Sequence, residues 1–127
     1  MTIVKNLKPT ESELEILQIL WDKEKATVRE VHDELSKTKD SGYTTTLKLL
    51  QIMFEKRLVK RDDSNKTHVY EAAISKQRTQ KQFLDKMINT LFAGSSTQLV
   101  LQALGNQKSS KDELDEIQKY LDNLKKL

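Results

Sequence analysis

Apolar residues recur every three or four positions between residues 10 and 37, a spacing that predicts two short amphipathic helices. Each helix begins at a capping-box pattern, in which a threonine caps the first amides and a glutamate three residues later bonds back to the threonine. Thr10 and Glu13 form the first pattern, and Thr27 and Glu30 form the second. The two patterns predict where both helices begin.

A third helix is predicted over residues 43–56, after a break at residues 39–42, and its two faces differ in chemistry. We expect one face to pack inward, and it carries Thr46, Leu49, Leu50, Met53 and Phe54. The opposite face carries small hydroxyls, a lysine and an isoleucine, at Thr44, Thr45, Lys48 and Ile52. This second face need not be buried, so we expect it to point outward.

Alternation of apolar and polar residues replaces the helical spacing after residue 57. Residues 58–61 and 67–71 favour two strands, joined by a polar turn at residues 62–65. Three helices followed by a β-hairpin are typical of a winged helix-turn-helix. We therefore predict a mainly α fold with a small β-hairpin wing, in which residues 1–74 form a winged-helix domain.

Residues 75–127 are predicted to be helical again, with apolar stripes that end at Gly94 and Gly105 and a capping box at Ser110. Three short amphipathic helices beside a small domain have little surface against which to bury these stripes. We predict that this half forms a homodimer, and the alternative is that the stripes fold back as core of the same chain. The predicted interface residues are Phe83, Leu84, Met87, Leu91, Leu99, Val100, Leu104, Leu114, Ile117, Leu121 and Leu124.

Composition narrows the classes of function. The 127 residues contain no cysteine, which excludes disulfides, thiol catalysis and cysteine-based zinc sites. The two histidines and three isolated glycines form no metal, phosphate-loop or catalytic-triad pattern, and we expect His32 to be an exposed residue on a helix surface. No apolar run approaches the roughly 20 residues of a membrane helix, and the N-terminus lacks signal-peptide features. We expect a soluble cytoplasmic protein that is not an enzyme and holds no metal or cofactor.

Charge is distributed unevenly along the chain, although the net charge is only +3. Residues 10–34 hold three basic and eight acidic side chains, whereas residues 37–66 hold eight basic and four acidic ones, which favours an anion-binding face. A helix that enters the DNA major groove needs short, hydrogen-bonding side chains near its N-terminus. The predicted DNA-binding residues are Tyr43, Thr44, Thr45, Lys48, Arg61, Lys66 and His68.

An alternative interpretation stays open for the same residues. The threonines are also explained by ordinary helix capping, and the lysine by a solvated surface. The domain would then be a protein-interaction adaptor that does not bind DNA. Binding to a random duplex at low salt, released steeply as salt rises, distinguishes the two.

Four segments of the first half, taken in order, resemble the penicillinase-repressor family (BlaI/MecI type): residues 14–21, 26–31, 43–50 and 55–61. The resemblance covers nearly the whole chain. It implies a bacterial transcriptional repressor with a winged-helix DNA-binding domain and a helical dimerisation domain at residues 75–127. The partners it implies are a second copy of the chain and a pseudo-palindromic operator, with Thr44, Thr45 and Lys48 in the major groove.

The same resemblance implies a route of induction. In the β-lactam-responsive members, a membrane sensor with a metalloprotease domain triggers cleavage in the C-terminal domain, which ends dimerisation and releases the operator. By position, the scissile bond would be Gln102-Ala103. This pair differs from the Asn-Phe of those members, and Ile52 and Arg57 stand where many members have arginine and glycine.

Overall fold

The structure, a computed structural model, describes residues 8–127. Residues 1–7, where the predicted first domain begins and where no signal peptide is predicted, lie outside the described part of the chain. Within residues 8–127 the chain forms six α-helices and three β-strands. In chain order they are α1 (Glu11–Lys23), β1 (Ala26–Thr27), α2 (Val28–Leu35), α3 (Tyr43–Glu55), β2 (Val59–Asp62), β3 (Val69–Ala72), α4 (Lys76–Leu91), α5 (Ser96–Asn106) and α6 (Lys111–Lys125).

These elements form two compact units, of which one extends to Gln80 and the other spans Lys81–Leu127. The division falls inside α4. The domain boundary predicted between residues 74 and 75 lies in the connection between β3 and α4, and it stays a prediction.

The capping boxes of the first two helices are confirmed. The Glu13 backbone N–H donates to Thr10 Oγ1 at 3.2 Å, and the Thr10 N–H donates to Glu13 Oε1 at 2.8 Å. The corresponding distances between Thr27 and Glu30 are 3.2 and 2.8 Å. Two of the amides that a helix leaves unpaired at its start are therefore satisfied locally in each case.

An antiparallel sheet with the strand order β1-β3-β2 closes the first unit. The pairing of β2 with β3 confirms the predicted hairpin, with Arg61 opposite Tyr70. Strand β1, in which Ala26 pairs with Tyr70 and Thr27 with Val69, was not predicted. Two residues are too few to display a strand's alternation, and their partners lie more than 40 positions away in the chain.

The core of the first unit lies between α1, α2, α3 and the sheet. Its fully buried apolar side chains include Ile16, Leu17, Leu20, Val31, Leu50, Met53 and Tyr70. Burying one side chain of this size contributes about 1.5–3 kcal/mol to folding. Trp21 Nε1 also donates a 3.0 Å hydrogen bond to the Ile74 carbonyl, which attaches the segment after β3 to α1.

A part-buried ion pair connects the start of α1 to the end of α3. Lys56 Nζ lies 3.1 and 2.8 Å from the two carboxylate oxygens of Glu13, whose side chain is only 2% exposed. Burial opposes ionisation of Glu13, but the hydrogen bonds from Lys56 and from the Thr10 backbone outweigh it, so the pKa of Glu13 is lowered from its ordinary value. Glu13, which completes the capping box of α1, thus also binds the C-cap residue of α3.

The second unit consists of helices with little burial. Among residues 81–127 no side chain is fully buried. The predicted helix end at Gly94 is confirmed, since Gly94 has φ +84° and its N–H donates to the Ile88 carbonyl at 2.9 Å. The predicted end at Gly105 is wrong, because α5 continues through this glycine to Asn106. Ser110 caps α6 in the predicted capping box.

Candidate nucleic-acid interface

The two faces of α3 separate as their chemistry predicts. Thr46, Leu50 and Met53 are buried in the core, and Leu49 and Phe54 pack against it partly buried. On the opposite face the side chains of Thr44, Thr45 and Lys48 are exposed, and Ile52 is half-buried. The expectation that the hydroxyls and the lysine point outward is confirmed. Contact of these side chains with DNA stays a prediction.

The N-terminus of α3 has no side-chain cap. Its N-cap residue is Gly42, and no side chain within the described residues 8–127 makes a capping hydrogen bond there. The Gly42 carbonyl accepts from the Thr45 and Thr46 amides at 3.1 and 3.3 Å, so the threonines lie inside the helix and do not cap it. An uncapped N-terminus carries unpaired amides and partial positive charge, and it suits an anion.

His32 connects α2 to the first turns of α3. Its Nδ1 lies 3.0 Å from Thr46 Oγ1, and its Nε2 lies 3.3 Å from Ser36 Oγ. The ring of Tyr43 meets His32 edge to face, with centroids 5.6 Å apart. The guanidinium carbon of Arg29 lies 4.5 Å from the centre of the Tyr43 ring.

The expectation that His32 is an exposed surface histidine is therefore wrong. The side chain is half-buried because α2 and α3 pack together at this point, which brings His32 against Thr46. Helical spacing places His32 on a face of its own helix but does not say which helix meets that face. The buried hydroxyl of Thr46 on the inner face of α3 was the one available signal, since buried polar groups need partners.

The wing holds the remaining predicted DNA-binding residues, and these residues differ in whether they pair with a carboxylate of the wing. Arg61 donates through Nε to Asp63 at 2.6 Å, and its guanidinium carbon lies 4.1 Å from the centre of the Phe54 ring. Lys66 and His68 are exposed, and His68 Nδ1 lies 3.6 Å from Asp63 Oδ1. Arg61 is thus partly neutralised within the wing, whereas Lys66 has no ion pair with any of residues 8–127.

Exposed donors on α3 and the wing form a surface that can bind an anion. Lys48, like Lys66, has no carboxylate within salt-bridge distance in residues 8–127. Threonine hydroxyls and a lysine ammonium can donate to base edges and to phosphate oxygens. In the same part of the chain no three histidine, aspartate or glutamate side chains converge to hold a metal ion. No helix of residues 8–127 has the length and hydrophobicity needed to cross a bilayer.

The predicted interface residues of the second unit lie on exposed apolar surface. Leu84, Met87, Leu91, Val100, Leu114, Leu121 and Leu124 are exposed, and Phe83, Leu99, Leu104 and Ile117 are half-buried. Leu101 and Tyr120 are exposed large hydrophobic residues that the helical spacing did not select. Gln102 and Ala103 lie inside α5 with exposed side chains.

Comparison with known proteins gives the same family along most of the chain. A sequence model of the family described as Penicillinase repressor matches residues 9–123. The penicillinase repressor of Staphylococcus aureus is 26% identical over 126 residues, which cover 96% of this chain and 97% of that protein. The methicillin resistance regulatory protein MecI of Staphylococcus aureus (strain N315) is 24% identical over 117 residues, which cover 92% of this chain and 95% of that protein.

A solved structure resembles the first part of the chain. The solution structure of the DNA binding domain of the repressor BlaI has a TM-score of 0.51 and 24% sequence identity, and the match covers 60% of this chain and 90% of that one. This similarity confirms the winged-helix fold. Because the family model spans nearly all of the residues, the chain belongs to the penicillinase repressor family of transcriptional repressors.

Proposed function

We propose that this protein is a cytoplasmic, homodimeric transcriptional repressor that binds a pseudo-palindromic operator through α3 and the wing of β2 and β3. The observation that carries the proposal is the outward face of α3. Thr44, Thr45 and Lys48 are exposed on a helix whose other face is buried in the core. A helix anchored in the core through one face can present the side chains of its other face to a ligand in a defined geometry.

In the proposed complex, the N-terminal half of α3 enters the major groove. Short threonine side chains allow close approach, while Lys48 donates to a base edge or a phosphate. The uncapped amides after Gly42 face the DNA backbone. Lys66 and His68 at the wing turn contact the neighbouring backbone, where their role is to set the orientation of the domain.

A second copy of the chain covers the apolar surface of residues 81–127 in this proposal. Exposed leucines on all three helices support it, since side chains that are 74% exposed at Leu91 and 41% exposed at Leu121 gain free energy when a partner covers them. Two-fold symmetry then presents two α3 helices to half-sites about one helical turn (~34 Å) or a small multiple apart. Linking two weak contacts raises the overall affinity well above that of one domain.

Release by proteolysis is the last part of the proposal. Exposure of Gln102 and Ala103 on α5 supports access by a membrane sensor metalloprotease, and a cut there divides the apolar surface of the second unit. After induction in cells, mass spectrometry should detect a fragment that ends at Gln102. A chain that stays full length while the regulated gene is switched on would contradict this route.

The decisive experiment selects bound sites from a random duplex pool with the full chain. We expect the pool to converge on an inverted repeat, because a symmetric dimer reads two half-sites of opposite orientation. A pool that shows no enrichment, together with no binding to random duplex at low salt, would overturn the proposal and favour the protein-interaction adaptor.

Lys48→Ala tests the role of α3 on the selected site. We expect weaker binding and a salt dependence that is flatter by about one unit of slope per bound protomer. Lys108→Ala is the matched control, because Lys108 is an exposed lysine between α5 and α6, far along the chain from α3. Titrations at several salt concentrations measure both quantities, and equal slopes for the two variants would contradict the placement of α3.

A further inference from the structure

The side chain of Arg29 contacts an aromatic ring, and no carboxylate of residues 8–127 lies within salt-bridge distance of it. Arg29 lies in the first turn of α2 and is exposed, and its guanidinium carbon is 4.5 Å from the centre of the Tyr43 ring. Across residues 8–127 it forms no hydrogen bond and no ion pair. Its position is thus set by its contact with an aromatic face, while its N–H donors have no acceptor within residues 8–127.

A continuous chain of contacts supports this stack from the core. Thr46 is fully buried, and its hydroxyl lies 3.0 Å from His32 Nδ1. The His32 ring meets Tyr43 at an interplanar angle of 77°, and Tyr43 carries Arg29. Most surface arginines sample many rotamers, so an arginine ordered in advance loses less entropy when it binds a ligand.

The chemistry and the position of Arg29 point to a phosphate. A guanidinium held over an aromatic ring by a cation–π contact keeps N–H donors for another ligand, and two of these donors match two oxygens of a phosphate. In a helix-turn-helix, the helix before the recognition helix crosses the DNA backbone. Arg29 belongs to that helix and touches the first residue of α3, which places it at the edge of the groove and not at its floor.

We propose that Arg29, stacked on Tyr43, binds a backbone phosphate of the operator, and that His32 is a positioning residue for this site. The inference rests on the proposed DNA-binding function and adds a contact outside α3 and the wing. A phosphate contact carries no sequence information, so its contribution is the same on operator and on random duplex.

The test uses the full chain with Arg29→Gln, titrated on the selected operator and on a random duplex of equal length at several salt concentrations. We expect weaker binding to both duplexes by about the same factor, and a slope reduced by about one per bound protomer. Arg78→Gln, which removes an exposed arginine of α4, should change neither quantity. Because the Arg29 side chain is exposed, we expect the thermal unfolding temperature of Arg29→Gln to equal that of wild type. An equal temperature excludes a folding defect as the cause of weaker binding.

Each other outcome has a distinct meaning. Wild-type protein that binds no duplex overturns the proposed function itself. If wild type binds DNA and Arg29→Gln has the same salt-dependence slope, only the phosphate site is overturned. A loss of affinity on the operator but not on random duplex also overturns it, because that result indicates a base contact.

A double-mutant cycle tests the stack. If Tyr43 positions Arg29, the losses caused by Arg29→Gln and Tyr43→Leu are less than additive, since removing the ring already removes much of what Arg29 contributes. Additive losses would overturn the positioning role. In a second cycle, the loss of affinity caused by Arg29→Gln should be smaller in a His32→Ala background than in wild type. Arg78→Gln should leave the affinity unchanged in both backgrounds.

Discussion

Both units of the chain contain α-helices with capping boxes, but their apolar side chains are buried in the first unit and exposed in the second. In the first unit Ile16, Leu17 and Leu50 are 0% exposed, whereas in the second unit no residue is buried and Leu91 is 74% exposed. Capping boxes of the same geometry begin α2 and α6. Local sequence is therefore sufficient to start a helix, but it does not supply the surface that buries one. The first unit contains that surface, and in our proposal the second unit obtains it from another copy.

The strongest test of this contrast is to place charges on the apolar stripe of α6. Ile117→Asp combined with Leu121→Asp should convert the proposed dimer fully to monomer, because two carboxylates cannot be buried in an apolar interface without partners. Light scattering at micromolar concentration measures the mass. Lys119→Asp, on the opposite side of α6, should remain dimeric. A double variant that stays dimeric would place the interface elsewhere.

The next test removes volume from the buried core. Leu50→Ala should lower the free energy of unfolding of the first unit by about 2–5 kcal/mol, because the side chain is fully buried and leaves a cavity. Leu127→Ala is the matched control at a leucine that is 100% exposed, and its effect should be within about 0.5 kcal/mol. Urea unfolding at neutral pH compares the two. Similar losses of unfolding free energy in the two variants would contradict the burial of Leu50 in the core.

Two ion pairs of α1 allow a finer comparison of buried and exposed charge. Lys56→Met leaves the carboxylate of Glu13 without its partner and should cost about 1–3 kcal/mol at neutral pH. Lys39→Met breaks the exposed pair with Glu15, joined at 2.7 Å, and should cost less than about 1 kcal/mol. Urea unfolding of both variants measures the difference, and equal costs would contradict the role of burial.

The same buried pair makes stability depend on pH. Because the pKa of Glu13 is lower in the folded than in the unfolded chain, the pair stabilises the fold above the unfolded-state glutamate pKa of about 4.3. This contribution is lost as the pH falls through the lower folded-state pKa. Acid unfolding of Lys56→Met, followed by circular dichroism, should therefore begin at a higher pH than that of wild type or Lys39→Met.

Each of the two matched helix caps contributes a small free energy to its own helix. Thr27→Ala should lower the stability of the first unit by about 1 kcal/mol, the usual value of such a cap. Ser110→Ala should weaken the proposed dimer about 30-fold, since about 1 kcal/mol is lost from α6 in each of the two protomers. Analytical ultracentrifugation should find an unchanged dimer for Thr27→Ala. Equal dissociation constants for the two variants would contradict the assignment of α6 to the interface.

Features that depend on neighbouring residues could be predicted from the sequence. The capping boxes at Thr10, Thr27 and Ser110, the outward face of α3 and the hairpin all follow from short-range spacing. Gly105 was misleading because a glycine inside a helix weakens it by only about 1 kcal/mol relative to alanine, which neighbouring residues can offset.

Features that depend on distant residues could not be predicted in this way. Strand β1 forms only because β3 is beside it, and the contacts of His32 with Thr46 and of Glu13 with Lys56 join different helices. Periodicity reports which side of a helix is apolar, but it does not report which residue of another helix arrives there. The stack of Arg29 on Tyr43 was missed for the same reason.

The bare glycine at the start of α3 has one more consequence. Gly42 has an ordinary negative φ of −80°, and a Cβ added there would meet no atom within 4 Å, so the backbone does not require glycine. Aspartate at this position would fit and would strengthen the helix, yet its carboxylate would stand where the proposed duplex approaches and would repel it. In our proposal the protein thus accepts a less stable helix start in exchange for an open electropositive tip, and a thermostabilised Gly42→Asp variant should be a poorer repressor.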